Sequence, residues 1–193
     1  MILRHKALEL GLPIRADGYM RVDLLTDHLA NRDRPMLCSL ADFQAVTADN
    51  DKQRFKLVEE AGVWWIRANQ GHSISVPELE LTPIELADCH RFPCVVHGTY
   101  LRSWPMIRDS GLSRMQRAHV HLAKGVPGER GVISGMRSSA EVYVYIDLPN
   151  ALAAGLKFYE SLNGVILSPG NAEGVIPAAY FQSVTDQHGH DVA

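Results

Sequence analysis

Phe55-Lys56-Leu57-Val58-Glu59-Glu60-Ala61-Gly62-Val63-Trp64-Trp65-Ile66-Arg67-Ala68 decides how the first half of the chain is read. Residues 55–58 and 63–68 are rich in β-branched and aromatic side chains, which suit a pleated, half-buried surface. The four residues between them are polar or small and end in glycine, as a turn requires. The pattern predicts a β-hairpin. Three helices are expected upstream of it. Leu3, Ala7, Leu8 and Leu10 form a first apolar face, ended by Gly11 and Pro13. A turn at Ala16-Asp17-Gly18-Tyr19 leads to a second helix carrying Val22, Leu24, Leu25 and Leu29, broken across residues 31–35. Ser39, with Asp42 three residues on, is a start signal for a third, whose Leu40, Phe43 and either Val46 or Ala45 face inward. Three helices followed by a hairpin predict a winged-helix lobe over residues 1–76.

Beyond it, residues 77–92 read as a linker, because prolines recur and the hydrophobic period is lost. Residues 93–185 have a different pattern. Strands are expected at 94–97, 119–122, 141–147 and 164–167, and helices from Ser103-Trp104-Pro105 to Gly111 and over 149–155. Within 141–147, Val142, Val144 and Ile146 alternate with Tyr143, Tyr145 and Asp147, the signature of a half-buried strand. Residues 186–193 are expected to be a frayed tail. The fold class expected is α+β, with a β-rich second lobe.

Composition narrows the function. The chain has 193 residues, 46% of them hydrophobic, enough for one large domain or two small lobes. Its apolar runs are far too short for a membrane span and no secretory leader opens it, so a soluble intracellular protein without membrane association is expected. Cys38, Cys89 and Cys94 lack the pairing of a disulfide framework or a structural zinc site. Net charge is −3, with 10 Lys/Arg against 14 Asp/Glu in residues 1–90 and 9 against 8 thereafter. That balance excludes a protein tracking a long nucleic-acid backbone, and leaves room only for a local basic pocket. Nothing demands a dimer, so a monomer is expected.

Four polar clusters carry candidate chemistry, each with a plainer reading. Arg4-His5, on the opening helix, is either a functional pair or a solvated helix face, and taken alone it reads as the latter. Ile66-Arg67-Ala68-Asn69-Gln70-Gly71-His72-Ser73 packs polar groups where a strand meets a loop, as a binding site or as a polar turn capped by Gly71. In Val95-Val96-His97-Gly98-Thr99-Tyr100, His97 and Thr99 share one strand face and Gly98 opens space for a ring or phosphate; the alternative is a core histidine beside a strand-end glycine. His119 and His121 are expected on one side of a further strand. Gly131-Val132-Ile133-Ser134-Gly135-Met136-Arg137-Ser138 offers open backbone N–H groups and the fork of Arg137, or is a hairpin connection.

In this order, Leu3-Arg4-His5, Asp49-Asn50-Asp51-Lys52-Gln53-Arg54-Phe55, residues 66–73 and 96–100, His119-Val120-His121-Leu122-Ala123, Ser134-Gly135-Met136-Arg137 and Asn163-Gly164-Val165-Ile166-Leu167 resemble the tRNA 2′-phosphotransferase family. The likeness runs from Leu3 to about Phe181. It implies an N-terminal winged-helix RNA lobe and a C-terminal NAD⁺ lobe similar to the ADP-ribosyltransferase fold. It implies catalytic roles for Arg4, His5, Arg67 and Arg137, and a cofactor cleft lined by His97, Gly98, Thr99, Gly111, Leu112, Ser113, His119 and Val165. Lys52, Arg54, Asn69 and Gln70 would contact RNA. NAD⁺ would be consumed as co-substrate, no metal would be needed, and the partner would be RNA bearing a 2′-phosphate, above all tRNA.

The reaction so implied passes through a 2′-phospho-ADP-ribosylated RNA and yields RNA 2′-OH, nicotinamide and an ADP-ribose cyclic phosphate. A phosphate nucleophile is already an anion, which agrees with apolar Val165 where protein-modifying relatives carry a glutamate. Other readings are an ADP-ribosyltransferase acting on phosphorylated RNA or DNA ends, a non-catalytic RNA-binding module, and a zinc hydrolase using His97, His119 and His121. A two-histidine phosphoesterase would need a second His-x-Ser/Thr, and no other histidine of the chain provides one.

Overall fold

Hairpin residues 55–68 and the short elements before them build the first of two units, Met1–Glu80, and the second comprises Leu81–Ala193. The computed structural model describes residues 1–32, 36–49, 52–129, 132 and 135–192. Each unit has its own apolar core and mixes helix with strand, so the chain is α+β.

In the first unit, Ile2–Lys6 forms a single π-helical turn, closed by the Ala7 N–H donating to the Ile2 carbonyl at 3.1 Å. Strand β1 (Met20–Arg21), helix α1 (Val22–Ala30), helix α2 (Leu40–Ala48), β2 (Phe55–Glu60) and β3 (Val63–Ala68) follow, with sheet order β1-β3-β2, antiparallel throughout. The hairpin is as expected, with β2 running on to Glu60 before Ala61 and Gly62 turn the chain at positive φ. Ser39 and Asp42 form a reciprocal capping box at the start of α2, a device worth ~1 kcal/mol.

Leu3, Ala7, Met20, Val22, Leu25, Ile66 and Ala68 make this core. Three expectations are corrected. Leu8 and Leu10 face solvent, because the opening turn is π-helical and meets the core through Leu3 and Ala7, with partly buried Ile2 beside them. Ala45 and Val46 are likewise exposed, so α2 packs through partly buried Leu40 and Phe43. The strand Met20–Arg21 was not expected; two residues are too few to show a period. Residues 33–35 of the expected helix break lie outside the described residues, as do Asn50 and Asp51.

The second unit contains β4 (Leu81–Ile84), a 3₁₀ turn (Leu86–Arg91), β5 (Val96–Thr99), α3 (Trp104–Ser110), β6 (Leu112–Ser113), β7 (Val120–Leu122), β8 (Val142–Ile146), α4 (Leu148–Ala153), β9 (Phe158–Ser161), β10 (Ile166–Ser168), β11 (Val175–Ile176) and β12 (Phe181–Asp186). They form sheets β4-β9-β10-β7 and β12-β8-β5 and the pair β11-β6. A bridge between Val96 and Ala123 joins β5 to the end of β7. Val142, Val144 and Ile146 of β8 all face the core, as their alternation predicts. Burial of each such side chain contributes about 1.5–3 kcal/mol.

The stretch read as a linker instead carries β4 and the 3₁₀ turn. Pro83 is tolerated there because β4 is an edge strand, where a missing N–H breaks no ladder. The expected frayed tail is also tied down. Thr185 bridges to Asp191, and the Trp104 indole N–H donates to the Val192 carbonyl at 3.0 Å.

Candidate functional site

In the first unit the polar groups gather where β3 ends. Arg67 is 2% exposed. Its Nη1 donates to the Asp17 carbonyl at 3.2 Å and its Nη2 to Glu80 Oε2 at 2.6 Å, while its guanidinium carbon sits 4.6 Å from the centroid of the Tyr19 ring. Nε of Arg67 has no hydrogen-bond partner among the described residues. Such an orphan donor is rare in a folded interior, and here one nitrogen of a fixed, buried guanidinium fork is left unused. Glu80 also accepts from Lys56 Nζ at 3.2 Å. The Arg67 hydrogen bond first, and Lys56 next, hold the Glu80 carboxyl below the usual carboxylate range.

Beyond β3 the loop turns at Gly71, whose φ is 86°. The Ser73 N–H donates to the Arg4 carbonyl at 2.9 Å, and the Ser73 hydroxyl lies 2.9 Å from His5 Nδ1. Two hydrogen bonds thus staple the Arg4-His5 turn to this loop. Asn69 and Gln70 are buried rather than displayed, and Asn69 Nδ2 is engaged by the Gln53 carbonyl at 2.6 Å. Lys52 is half-buried and Arg54 is exposed.

The second unit holds a cleft of about 480 Å³, lined by residues of β5, α3, β6, β7 and the segment leading into β7. His97, Thr99, Gly111, Leu112, Ser113 and His119 all line it, as do Met106, Ile107, Arg114, Arg117 and His121. His97 and Thr99 face it together because strand side chains alternate. For the same reason Gly98 faces away: a Cβ there would lie 2.3 Å from Met136 Cγ and 2.8 Å from Ala140 Cβ. The space that its missing side chain leaves is taken by Met136 and Ala140. Gly111, with φ 84°, lets the chain pass against β11, since a Cβ would fall 2.5 Å from the Ile176 carbonyl oxygen. Val165 is fully buried at the turn before β10, away from the cleft lining.

His97 Nδ1 lies 2.9 Å from the His121 carbonyl, so the neutral ring must carry its proton there and keep Nε2 as an acceptor. Burial, then the nearby Arg117 charge, lower the His97 pKa from its usual value, which favours that neutral form. Burial and Arg114 act alike on His119. His119 precedes β7 instead of sharing it with His121, yet both line the cleft. Arg137 is exposed, with Nη1 3.5 Å from the Tyr100 hydroxyl. Gly131, Ile133 and Ser134 of its cluster lie outside the described residues. Among the described residues no group of three or more His, Cys, Asp or Glu is placed to hold a metal ion, and no helix is long and apolar enough to cross a membrane.

The family model for the RNA 2′-phosphotransferase, Tpt1 / KptA family matches residues 1–170. The chain belongs to the RNA 2′-phosphotransferase family. Among curated relatives, a zebrafish (Danio rerio) protein named tRNA 2′-phosphotransferase 1 is 48% identical over 93% of this chain and 79% of its own length. A mouse protein of the same name is 50% identical over 93% of this chain and 71% of its own. The Saccharomyces cerevisiae tRNA 2′-phosphotransferase is 39% identical, covering 95% and 79%.

For this member of the 2′-phosphotransferase family, reading the sequence missed two sets of residues. Arg114 and Arg117 put two cations on the cleft, and their only trace is their place just after Gly111-Leu112-Ser113. Asp17, Tyr19 and Glu80 frame Arg67 from 50, 48 and 13 positions away, and no local pattern announces such partners.

Proposed function

We propose that this chain transfers an internal RNA 2′-phosphate, as in tRNA splicing, to NAD⁺. The observation that carries this reading is Arg67, a guanidinium fixed in a buried frame with an unused Nε. That is the form of a preorganised site for phosphoryl oxygens. Arg4, His5 and Arg137 are the other groups proposed to handle the phosphate. Lys52 and Arg54 take neighbouring phosphates, and buried Asn69 and Gln70 hold the loop in shape.

The cleft of the second unit suits a dinucleotide. Its size lies within the range of small-molecule sites, Arg114 and Arg117 offer charge for a diphosphate, and neutral His97 offers Nε2 to a ribose hydroxyl. When bound, NAD⁺ supplies an electrophilic anomeric carbon with nicotinamide as leaving group, so that the 2′-phosphate becomes joined to ADP-ribose before a ribose hydroxyl displaces the RNA 2′-oxygen from phosphorus. In that displacement charge grows on the non-bridging oxygens, which a fixed guanidinium fork such as that of Arg67 stabilises. His5, oriented by its contact with Ser73, is the group proposed to bind the phosphate or to give a proton to the departing 2′-oxygen.

A short RNA with one internal 2′-phosphate, incubated with the protein with and without NAD⁺, tests this. Loss of the phosphate only with NAD⁺, with release of an ADP-ribose cyclic phosphate, is the expected result. A stable ADP-ribosyl adduct would turn the reading towards a transferase that stops after one step, and no NAD⁺-dependent change would refute it.

A further inference from the structure

The register of the hairpin sets Lys56 directly opposite Arg67. Opposed residues on neighbouring strands share a face with Cβ atoms about 5 Å apart, and like charges there repel. One oxygen of Glu80, Oε2, answers both cations, at 2.6 Å from Arg67 and 3.2 Å from Lys56. Building on the reading of Arg67 as a phosphate-binding group, we propose that Lys56 and Arg67 form a two-cation phosphate subsite and that Glu80 is its exchangeable counter-ion.

Three features favour exchange over a permanent salt bridge. First, Glu80 holds Arg67 by a single donor, Nη2, although a carboxylate can take two, and Nε is left with no partner among the described residues. A phosphoryl group has three terminal oxygens and can serve both guanidinium nitrogens and the ammonium at once. Second, mobility is one-sided. Arg67 is 2% exposed and remains held by the Asp17 carbonyl and the Tyr19 ring, whereas the Glu80 side chain is 55% exposed and becomes hydrated on leaving. The cation stays and the anion moves. Third, Glu80 is more than half exposed and returns to water on leaving, while the phosphate that replaces it keeps the buried guanidinium paired, so no charge is stranded in the exchange. Until phosphate arrives, Glu80 offsets the repulsion between Lys56 and Arg67; on arrival, the phosphate takes over that task.

The test compares the full chain with its Glu80→Gln and Lys56→Met variants. Fluorescence anisotropy measures binding of a short RNA carrying one internal 2′-phosphate and of its 2′-OH twin. Glu78→Gln, an exposed carboxylate two residues away, controls for net charge. Glu80→Gln should bind the 2′-phosphate RNA about two- to fivefold more tightly, the range expected for losing an exposed competing ion pair, with the twin unchanged and thermal stability no higher. Lys56→Met should weaken the 2′-phosphate RNA alone. Unchanged or weaker binding by Glu80→Gln, tightening of both RNAs alike, or an equal gain in Glu78→Gln would each overturn the exchange. Should the unaltered protein bind both RNAs equally, the phosphate reading of Arg67 itself fails, an outcome distinct from the others.

Discussion

Arg67 in the first unit and Arg137 in the second were expected from the sequence to do related work, yet their surroundings differ. Arg67 is 2% exposed and held by a carbonyl, a carboxylate and an aromatic face. Arg137 is exposed and touches the Tyr100 hydroxyl at 3.5 Å, the outer limit of a hydrogen bond. A guanidinium in a rigid frame has given up its conformational entropy during folding. One on the surface gives it up when ligand binds, which costs of order 1 kcal/mol. The polar site of the first unit is therefore built around one buried charge, whereas the cleft of the second unit sets the imidazoles of His97 and His119 beside the cations of Arg114 and Arg117.

The largest effect expected is on turnover. Arg67→Ala should lower single-turnover phosphate removal by ~10² to 10³-fold, as loss of a preorganised donor does. Arg67→Lys should be nearly as damaging, because a lysine cannot rebuild the fork inside that frame. Arg137→Lys should be better tolerated than Arg67→Lys. Equal tolerance of lysine at both positions would break the contrast between them.

A smaller effect is expected on stability. Gly98→Ala would thrust a methyl group against Met136 and Ala140, and overpacking of this kind costs ~1–3 kcal/mol. Urea unfolding followed by circular dichroism measures it. An unaltered midpoint would mean that Met136 is free to move aside.

The smallest effect separates the units by acidity. His97 is held below its ordinary pKa of 6.5, so its contribution to stability is complete above about that pH and is lost as pH falls through the lowered value. Glu80 is held below its ordinary 4.5, so its contribution survives until more acid conditions and is then lost in the same direction. Amide hydrogen exchange across a pH series should therefore show β5 loosening before the end of β3. The reverse order would contradict the local environments described for these two groups.

Much of the fold was legible in the sequence, but not evenly. The hairpin β2-β3 shows through its β-branched and aromatic composition and the turn at Gly62, and strand β8 through side chains that alternate over five residues. Strands β1, β6 and β11 are two residues long and carry no period at all. β4 was hidden by Pro83, and β12 by having Val184 as its one fully buried residue. At the site, six of the eight expected cofactor residues meet around one cleft, since each lies in or beside a strand or helix with a readable face. The space at Gly98 reads in sequence as open to a ring or phosphate, because a glycine there shows that room is needed without showing what fills it. The frame of Arg67 was invisible because its members come from separate turns that only tertiary folding unites.

Gly98 also has a mechanical meaning. Its neighbours in β5, His97 and Thr99, look into the cleft, while Gly98 itself bears on Met136, the residue just before Arg137. The pleat of one four-residue strand thus touches the cleft with one surface and Met136, at the root of the Arg137 arm, with the other. The cleft and the packing beneath Met136 therefore share one four-residue strand as a common wall.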